Sequence, residues 1–104
     1  MLTFQIDYID IGCYRDRRSR AIASLEGKDP LLTGWHKKRK NSIEKCAIVA
    51  RKRGFRMFSV QYGGECYGSA TADRTFDRYG KSDNCEGDGK GGAWANRVYA
   101  FQGL

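Results

Sequence analysis

Residues 41–68 read NSIEKCAIVARKRGFRMFSVQYGGECYG, a stretch that predicts one helix followed by one β-hairpin and so decides the fold. Apolar and small residues recur in it at the i, i+3, i+4, i+7 spacing of a buried helical stripe, at Ile43, Cys46, Ala47 and Ala50. This spacing predicts a helix from Ser42 to about Arg53, with Cys46 facing the core.

Both ends of this helix carry boundary signals. Asn41 is a suitable N-cap, and Glu44 three residues later can complete a capping box. The last turn is basic, which the helix dipole favours, and Gly54 follows it with the freedom to adopt a left-handed stop. The helix is therefore predicted to end where a new strand begins.

A hairpin is predicted directly after the helix. Residues 55–62 alternate apolar and polar side chains, and residues 65–68 supply a return strand. Gly63 and Gly64 lie between them and suit a type I′ turn, in which both central residues need positive φ.

Four cysteines, an even number at wide spacing, occur at Cys13, Cys46, Cys66 and Cys85. Structural zinc sites usually take close ligand pairs such as C-x-x-C, which this chain lacks, so two disulfides formed in an oxidising compartment are favoured. Four cysteines allow three connectivities. Packing of the helix on the hairpin favours Cys46–Cys66, and Cys13–Cys85 follows by elimination. The pattern predicts a secreted or extracellular protein.

The remaining chain is predicted to supply two more strands and two long loops. A first strand runs from about Thr3 to Tyr14, and a last strand from Arg97 to Phe101 would lie beside it. Residues 15–40 and the glycine-rich residues 69–96 lack sustained periodicity. We expect a single domain, residues 1–104, of the α+β class: one main helix packed on an antiparallel sheet of about four or five strands, stapled by two disulfides.

The chain shows no signal for membrane insertion. No apolar run approaches the roughly 20 residues needed to cross a bilayer. Residues 1–7 lack the basic start and continuous apolar segment of a signal peptide. A secreted protein with this start would be a mature form or a module of a longer chain.

Several segments together carry a family resemblance: GCYRD at residues 12–16, RA at 20–21, CA at 46–47, FSVQYGGECY at 58–67, YGKSDNC at 79–85 and GGAWANRVY at 91–99. With these segments the chain resembles WSC domains over most of its length, from about Tyr8 to Phe101, and more distantly the PAN/apple modules. WSC domains typically read E-C-Y-C-G where this chain has ECYGS at residues 65–69. The resemblance implies a helix on an antiparallel sheet and carbohydrate binding, and it implies no catalytic residue set.

Charge is the strongest compositional signal, since 19 Lys and Arg against 12 Asp and Glu give a net charge of +7. A potential of this size attracts polyanions, and it predicts sulfated glycans or an anionic cell surface as partner. The candidate polyanion patch comprises Arg15, Arg17, Arg18, Lys37, Lys38, Arg39, Lys40, Arg51, Lys52 and Arg53. Solvated surface charge that keeps the protein soluble is the equally weighted alternative. Nucleic acid is not favoured, because no helix-turn-helix, zinc-finger or RNP-type motif appears.

Sugar recognition is the second binding hypothesis. Sugars present apolar C–H faces that stack on aromatic rings and hydroxyls that need paired donors and acceptors. The candidate ligand-binding residues are Tyr62, Glu65, Tyr67, Tyr79, Asp83, Trp94 and Asn96. As structural alternatives, Trp94 and Tyr99 suit a core, and Asp83 and Asn96 suit loop-bracing hydrogen bonds.

Metal and catalytic sites are not expected. Asp83, Glu86 and Asp88 lie among glycines as calcium candidates, but the glutamate that closes an EF-hand loop is missing. Glu65 could pair with an acid of residues 73–77 as glycosidases require, although solvated surface acids are favoured. No nucleophile, Walker or zinc-hydrolase motif appears, so neither a cofactor nor an enzymatic activity is expected.

The expected function is therefore a non-catalytic extracellular binding module that recognises glycans. A protein–protein adhesion module and a secreted basic toxin or defence protein are the alternatives.

Overall fold

The computed structural model describes residues 6–103. Its elements in chain order are strand β1 Tyr8–Arg15, helix α1 Ser42–Lys52, strand β2 Met57–Gln61, strand β3 Glu65–Gly68, short helix α2 Ala72–Thr75 and strand β4 Ala95–Phe101, with 3-10 turns Pro30–Leu32 and His36–Lys38 before α1. The predicted α+β class, with one main helix, is confirmed. The first strand is predicted from about Thr3 to Tyr14, whereas β1 spans Tyr8–Arg15 and residues 6 and 7 are not part of it; residues 3–5 lie outside the described residues.

The four strands form one antiparallel sheet in the order β1-β4-β2-β3. The last strand lies beside the first, as the sequence predicts, with Tyr8 opposite Phe101. β4 starts at Ala95, two residues earlier than predicted. The β1–β4 register shifts between Asp10 and Gly12, so β1 carries a bulge at this point.

Both faces of the sheet are covered. Helix α1 packs on one face, where Cys46, Val49 and Ala50 join Phe58 and Val60 in a fully buried core. A second core on the opposite face comprises Ile22, Met57, Tyr67, Val98 and Ala72 of α2. This double coverage explains why every residue of β2 is buried, although its alternation alone fits a half-exposed strand.

The predicted end of α1 is confirmed and its predicted capping box is wrong. Gly54 has a φ of +76° and donates to the Arg51 carbonyl at 3.0 Å, while Phe55 donates to the Ala50 carbonyl at 3.0 Å; these two bonds are those of a Schellman motif. At the other end, Asn41 has a φ of +52° and its side chain makes no cap hydrogen bond. A capping side chain needs an extended N-cap backbone, and the left-handed conformation of Asn41 does not provide one.

Two disulfides connect the elements in the predicted pairs. Cys13 and Cys85 have Cα atoms 6.0 Å apart, and Cys46 and Cys66 have Cα atoms 5.3 Å apart. The first joins β1 to the loop before β4, and the second joins α1 to β3. Residues 69–96, predicted as one long loop, are thereby held at Cys85, and they also contain α2 and a bridge from Lys81 to Tyr14.

Candidate functional site

The tip of the β2–β3 hairpin presents Tyr62 to solvent. The Gly64 N–H donates to the Gln61 carbonyl at 3.2 Å, so the two central residues of the turn are Tyr62 and Gly63, with φ of +52° and +83°. The sequence predicts this turn one residue later, at Gly63 and Gly64. The shift matters because it places a bulky aromatic residue in a left-handed conformation that glycine usually occupies, and Tyr62 is 45% exposed.

Gly64, the residue after this turn, fixes the hairpin tip against α1. Its φ is +125°, and a Cβ built on it would lie 2.7 Å from the Ser42 hydroxyl and 3.0 Å from the His36 carbonyl. Only a residue without a side chain allows this close approach. The tip, the start of α1 and the turn at His36 are therefore packed together.

Trp94 is presented by a second tight turn, immediately before β4. Gly92 and Ala95 exchange backbone hydrogen bonds of 3.0 and 3.1 Å, and Trp94 between them has a φ of +54°. The structural alternative that assigned Trp94 to the core is wrong, because its side chain is 52% exposed. Tyr99, assigned to the core with it, is buried as predicted.

A buried polar network supports both turns from below. The Asp16 carboxylate is fully buried; it accepts from the Gln61 amide at 2.7 Å and from the Arg20 guanidinium at 2.9 Å. The backbone N–H of Asp16 donates to the Trp94 carbonyl at 2.9 Å. The Gln61 amide also donates to the Asn96 side chain at 3.0 Å. Because buried polar groups hold one geometry only when they are hydrogen-bonded, this network fixes the positions of both turns.

The hairpin tip and the Trp94 turn border an open cleft of about 410 Å³. Tyr62 and Trp94 contribute the large exposed rings, and the other lining residues are Arg20, His36, Gln61, Glu65 and Ala93. The cleft lies on the sheet face opposite to α1, at the end where β2 and β3 join. Its lining combines aromatic surface with hydrogen-bonding groups.

Glu65 is the carboxylate that lines this cleft, and it has two neighbours there. The Tyr67 hydroxyl donates to Glu65 Oε1 at 3.3 Å, and His36 Nε2 lies 4.0 Å from Glu65 Oε2. Burial, reinforced by the nearby Glu65 charge, raises the pKa of Tyr67 well above its ordinary value of 10.0. Tyr67 is therefore a neutral phenol at physiological pH and serves as a fixed donor to Glu65.

Cations cover parts of the aromatic rings. The Arg20 guanidinium lies 4.8 Å from the Trp94 ring centroid and 5.4 Å from that of Tyr67. On the other side of the cleft, Lys37 Nζ lies 3.8 Å from the Tyr62 ring centroid. Such cation–π contacts are attractive because of the negative face of the ring. Each exposed ring of the cleft thus has a positive group against it.

Three of the seven predicted ligand-binding residues line the cleft: Tyr62, Glu65 and Trp94. Tyr67 and Asn96 are buried and support that lining from beneath, through Glu65 and Gln61. Tyr79 and Asp83 do not line it. The Tyr79 hydroxyl donates to the Ser19 carbonyl, and Asp83 is an exposed loop residue.

The predicted polyanion patch is divided by the fold. Arg39 is buried rather than exposed: its guanidinium pairs with Glu26 at 2.7 and 2.9 Å and donates to the Leu32 and Gly64 carbonyls. Its position in a basic run therefore does not make it a polyanion contact. The other nine residues of the predicted patch are exposed. Three of them, Arg51, Lys52 and Arg53, lie at the end of α1. The other six lie in the segments that contain Arg20 and His36: Arg15, Arg17, Arg18, Lys37, Lys38 and Lys40.

The Glu26 carboxylate is held ionised by this buried arginine. Burial acts to raise the pKa of Glu26, but hydrogen bonds from Arg39 and from the Cys66 N–H outweigh it, so the pKa lies below its ordinary value. The ion pair ties the loop before α1 to β3 and to the hairpin tip at Gly64. Arg39 is thus a support for the cleft.

Sequence reasoning did not assign Arg20, His36 or Gln61 to the sugar site. Arg20 and His36 adjoin the basic runs at residues 15–18 and 37–40, and Gln61 stands in a predicted strand as an ordinary polar residue. A signal was present for Gln61, because its neighbours Phe58 and Val60 indicate a buried strand in which a polar side chain needs a partner. No local pattern identifies Asp16 as that partner.

The carboxylates named as calcium or catalytic candidates are not brought together. Across residues 6–103 no group of three His, Cys, Asp or Glu side chains is arranged to hold a metal ion. Asp83, Glu86 and Asp88 are exposed, and Asp88 accepts the Lys90 N–H at 2.9 Å. The acids at residues 73 and 77 are exposed and do not line the cleft beside Glu65.

Within residues 6–103 no helix has the length and apolar character required to span a membrane.

Comparison with known proteins gives one match. The family model of the WSC domain matches residues 10–93, a range that includes β1 from Asp10 onward, α1, β2, β3 and the Trp94 turn up to Ala93. No curated protein and no solved structure matches the chain. The family match spans well over half of the chain and confirms the resemblance found in the sequence. The chain therefore belongs to the WSC domain family.

Proposed function

We propose that this WSC domain is a non-catalytic module that binds glycans outside the cell, with a sugar ring seated in the cleft between Tyr62 and Trp94. The observation that carries the proposal is that both rings are held in solvent by left-handed backbone. Within residues 6–103, three residues other than glycine have positive φ, and two of them are Tyr62 and Trp94.

The energetics of these two residues favour a functional role. A left-handed conformation costs a non-glycine residue roughly 1–2 kcal/mol. An aromatic residue normally offsets such a cost by burying its ring, but Tyr62 and Trp94 remain 45% and 52% exposed. Strained residues of this kind cluster at ligand sites, where the surrounding structure fixes them. The Asp16 network and the close packing at Gly64 are that surrounding structure.

The chemistry of the cleft suits a sugar. The C–H face of a pyranose ring can stack on an aromatic side chain, and its hydroxyls need both donors and acceptors at fixed positions. Glu65 offers acceptors, and the Gln61 amide oxygen makes no hydrogen bond with residues 6–103. Because the supporting side chains are buried and bonded, little conformational entropy is lost when a ligand binds.

Binding without catalysis is supported by the carboxylates. Glycoside hydrolysis uses two carboxyl groups on either side of the scissile bond. Glu65 is the one that lines the cleft, and the nearby Asp16 is fully buried and bonded to Gln61 and Arg20. The two disulfides support an oxidising, extracellular setting.

A glycan array followed by calorimetry on the best oligosaccharide tests the proposal. We expect Trp94→Ala and Tyr62→Ala each to weaken binding about five- to tenfold, since stacking of a ring contributes on the order of 1–1.5 kcal/mol. Ile9→Ala is the matched control, because Ile9 is an apolar residue that is 45% exposed, like Tyr62, and does not line the cleft. A flat array, or a ligand bound equally by wild type and Trp94→Ala, overturns the proposal.

A further inference from the structure

We infer that the glycan is acidic, with carboxylate or sulfate groups, and that two rows of cations flanking the cleft bind these groups on either side of the stacked sugar. This inference rests on the proposed function, because it assigns the chemical class of the ligand at the same cleft. It is carried by the way the fold places the basic runs.

The first cation row adjoins Trp94. The backbone N–H of Asp16 donates to the Trp94 carbonyl at 2.9 Å, so the segment that carries Arg15, Arg17 and Arg18 adjoins the Trp94 turn. All three are exposed, and the Arg17 guanidinium lies 4.8 Å from the Tyr79 ring centroid. None of the three forms an ion pair with a carboxylate of residues 6–103.

The second cation row adjoins Tyr62. Lys37 Nζ sits 3.8 Å from the Tyr62 ring centroid, and Lys37 and Lys38 lie 5.9 and 6.0 Å from the ring centroid of Trp35. These two lysines and Lys40 are exposed, and in the part of the chain that the structure describes no carboxylate pairs with them. Arg39, between Lys38 and Lys40 in sequence, is buried and pairs with Glu26.

The local charges leave a positive surplus at the cleft. Arg20 is neutralised by the buried Asp16, and Glu65 adds one negative charge. Six exposed cations in the two rows outnumber that charge. Like charges repel one another within a Debye length, which is about 10 Å at 0.1 M salt. A ligand that brings negative groups to both rows relieves this repulsion. A neutral glycan would gain only the stacking and hydroxyl contacts of the cleft.

Two pairs of glycans that differ only in charge test the inference. Oligogalacturonate and its methyl ester form the carboxylate pair, and dextran sulfate and dextran form the sulfate pair. We expect the charged member of at least one pair to bind at least about tenfold more tightly at 50 mM salt, with the advantage shrinking as salt rises. The pair that shows the advantage identifies the acidic group.

The cation row is tested with a charge-matched pair of variants. Lys37→Gln with Lys38→Gln removes two charges beside Tyr62, and Lys52→Gln with Arg53→Gln removes two charges at the far end of α1, roughly 15 Å along the helix from its start beside the hairpin tip. We expect the first variant to bind the acidic glycan roughly three- to tenfold more weakly and the second to stay within about twofold. Equal losses in both variants would overturn the inference, because net charge alone would then account for binding.

The outcomes separate the inference from the proposed function. If the neutral members bind as tightly as the charged ones and Trp94→Ala abolishes that binding, the glycan function stands and the acidic class is wrong. If the acidic glycans bind Trp94→Ala as tightly as wild type, the cleft is not the sugar site and both proposals fail.

Discussion

The amide nitrogen of Gln61 lies 2.7 Å from Oδ2 of Asp16, and this hydrogen bond joins two residues 45 positions apart. Gln61 is the last residue of β2 and immediately precedes Tyr62, while the Asp16 N–H is bonded to the Trp94 carbonyl. Asp16 therefore contacts both aromatic turns, through its carboxylate at Gln61 and through its backbone N–H at Trp94. The geometry of the cleft depends on this contact as much as on the residues that line it.

Asp16→Ala is predicted to destabilise the protein and to distort the cleft. The change removes an acceptor of two buried donors, the Gln61 amide and the Ala21 N–H, which costs about 3 kcal/mol of unfolding free energy. Urea unfolding followed by fluorescence measures the loss. Asp73→Ala, on the exposed side of α2, is the control and should stay within about 0.5 kcal/mol of wild type. Equal stability of both variants would show that the buried network is not a structural support.

Trp94→Gly is predicted to leave stability nearly unchanged while it weakens glycan binding about as much as Trp94→Ala does. Glycine adopts the φ of +54° without the strain of about 1–2 kcal/mol that tryptophan bears. This gain offsets the loss of the contact with Arg20, worth about 0.5–1 kcal/mol. We expect the unfolding free energy to stay within about 1 kcal/mol of wild type. In contrast, Phe58→Ala, at a fully buried ring, should cost about 3–5 kcal/mol. A large loss of stability in Trp94→Gly would assign Trp94 a packing role.

Acid is predicted to weaken the fold through Glu26. The hydrogen bonds from Arg39 and the Cys66 N–H lower the pKa of Glu26 in the folded state below its ordinary value of 4.5. The unfolded chain therefore binds the proton first as the pH falls, so the stabilisation is complete above about pH 5 and is lost as the pH falls through the folded-state pKa. Urea unfolding between about pH 6 and pH 2.5 measures it. Glu26→Gln should be less stable at neutral pH and should depend less on pH in this range; an unchanged pH dependence would contradict the assignment.

The two disulfides are predicted to differ in accessibility. Cys46 and Cys66 are fully buried between α1 and the sheet, whereas Cys13 and Cys85 are partly exposed. Limited reduction followed by alkylation and peptide mapping should therefore open Cys13–Cys85 first, since a reductant must reach the sulfur. Loss of each bridge, by paired changes to alanine, should cost about 3 kcal/mol for Cys46–Cys66 and about 4.5 kcal/mol for the longer Cys13–Cys85 loop. Reduction of Cys46–Cys66 before Cys13–Cys85 would contradict the burial of Cys46 and Cys66.

Much of the fold follows from local signals in the sequence. Helix α1, its glycine stop and the following hairpin are encoded by side-chain period and turn residues within residues 41–68. The pairing of Cys46 with Cys66 follows from the same segment, because a helix that packs on the next hairpin brings its buried face to that strand. The aromatic and acidic residues Tyr62, Glu65 and Trp94 could also be named as binding candidates from their chemistry alone.

Only the tertiary structure decided which side chains reach solvent at the site. Trp94 has a large apolar side chain that suits a core, but the tight turn closed by Gly92 and Ala95 directs this side chain to solvent. Arg39 stands in a basic run, yet Glu26, 13 positions earlier, withdraws it into the interior. The physical reason is common to both: periodicity reports how a residue relates to its neighbours in the chain, whereas exposure is set by contacts between segments distant in sequence, and these form only when the whole sheet is assembled.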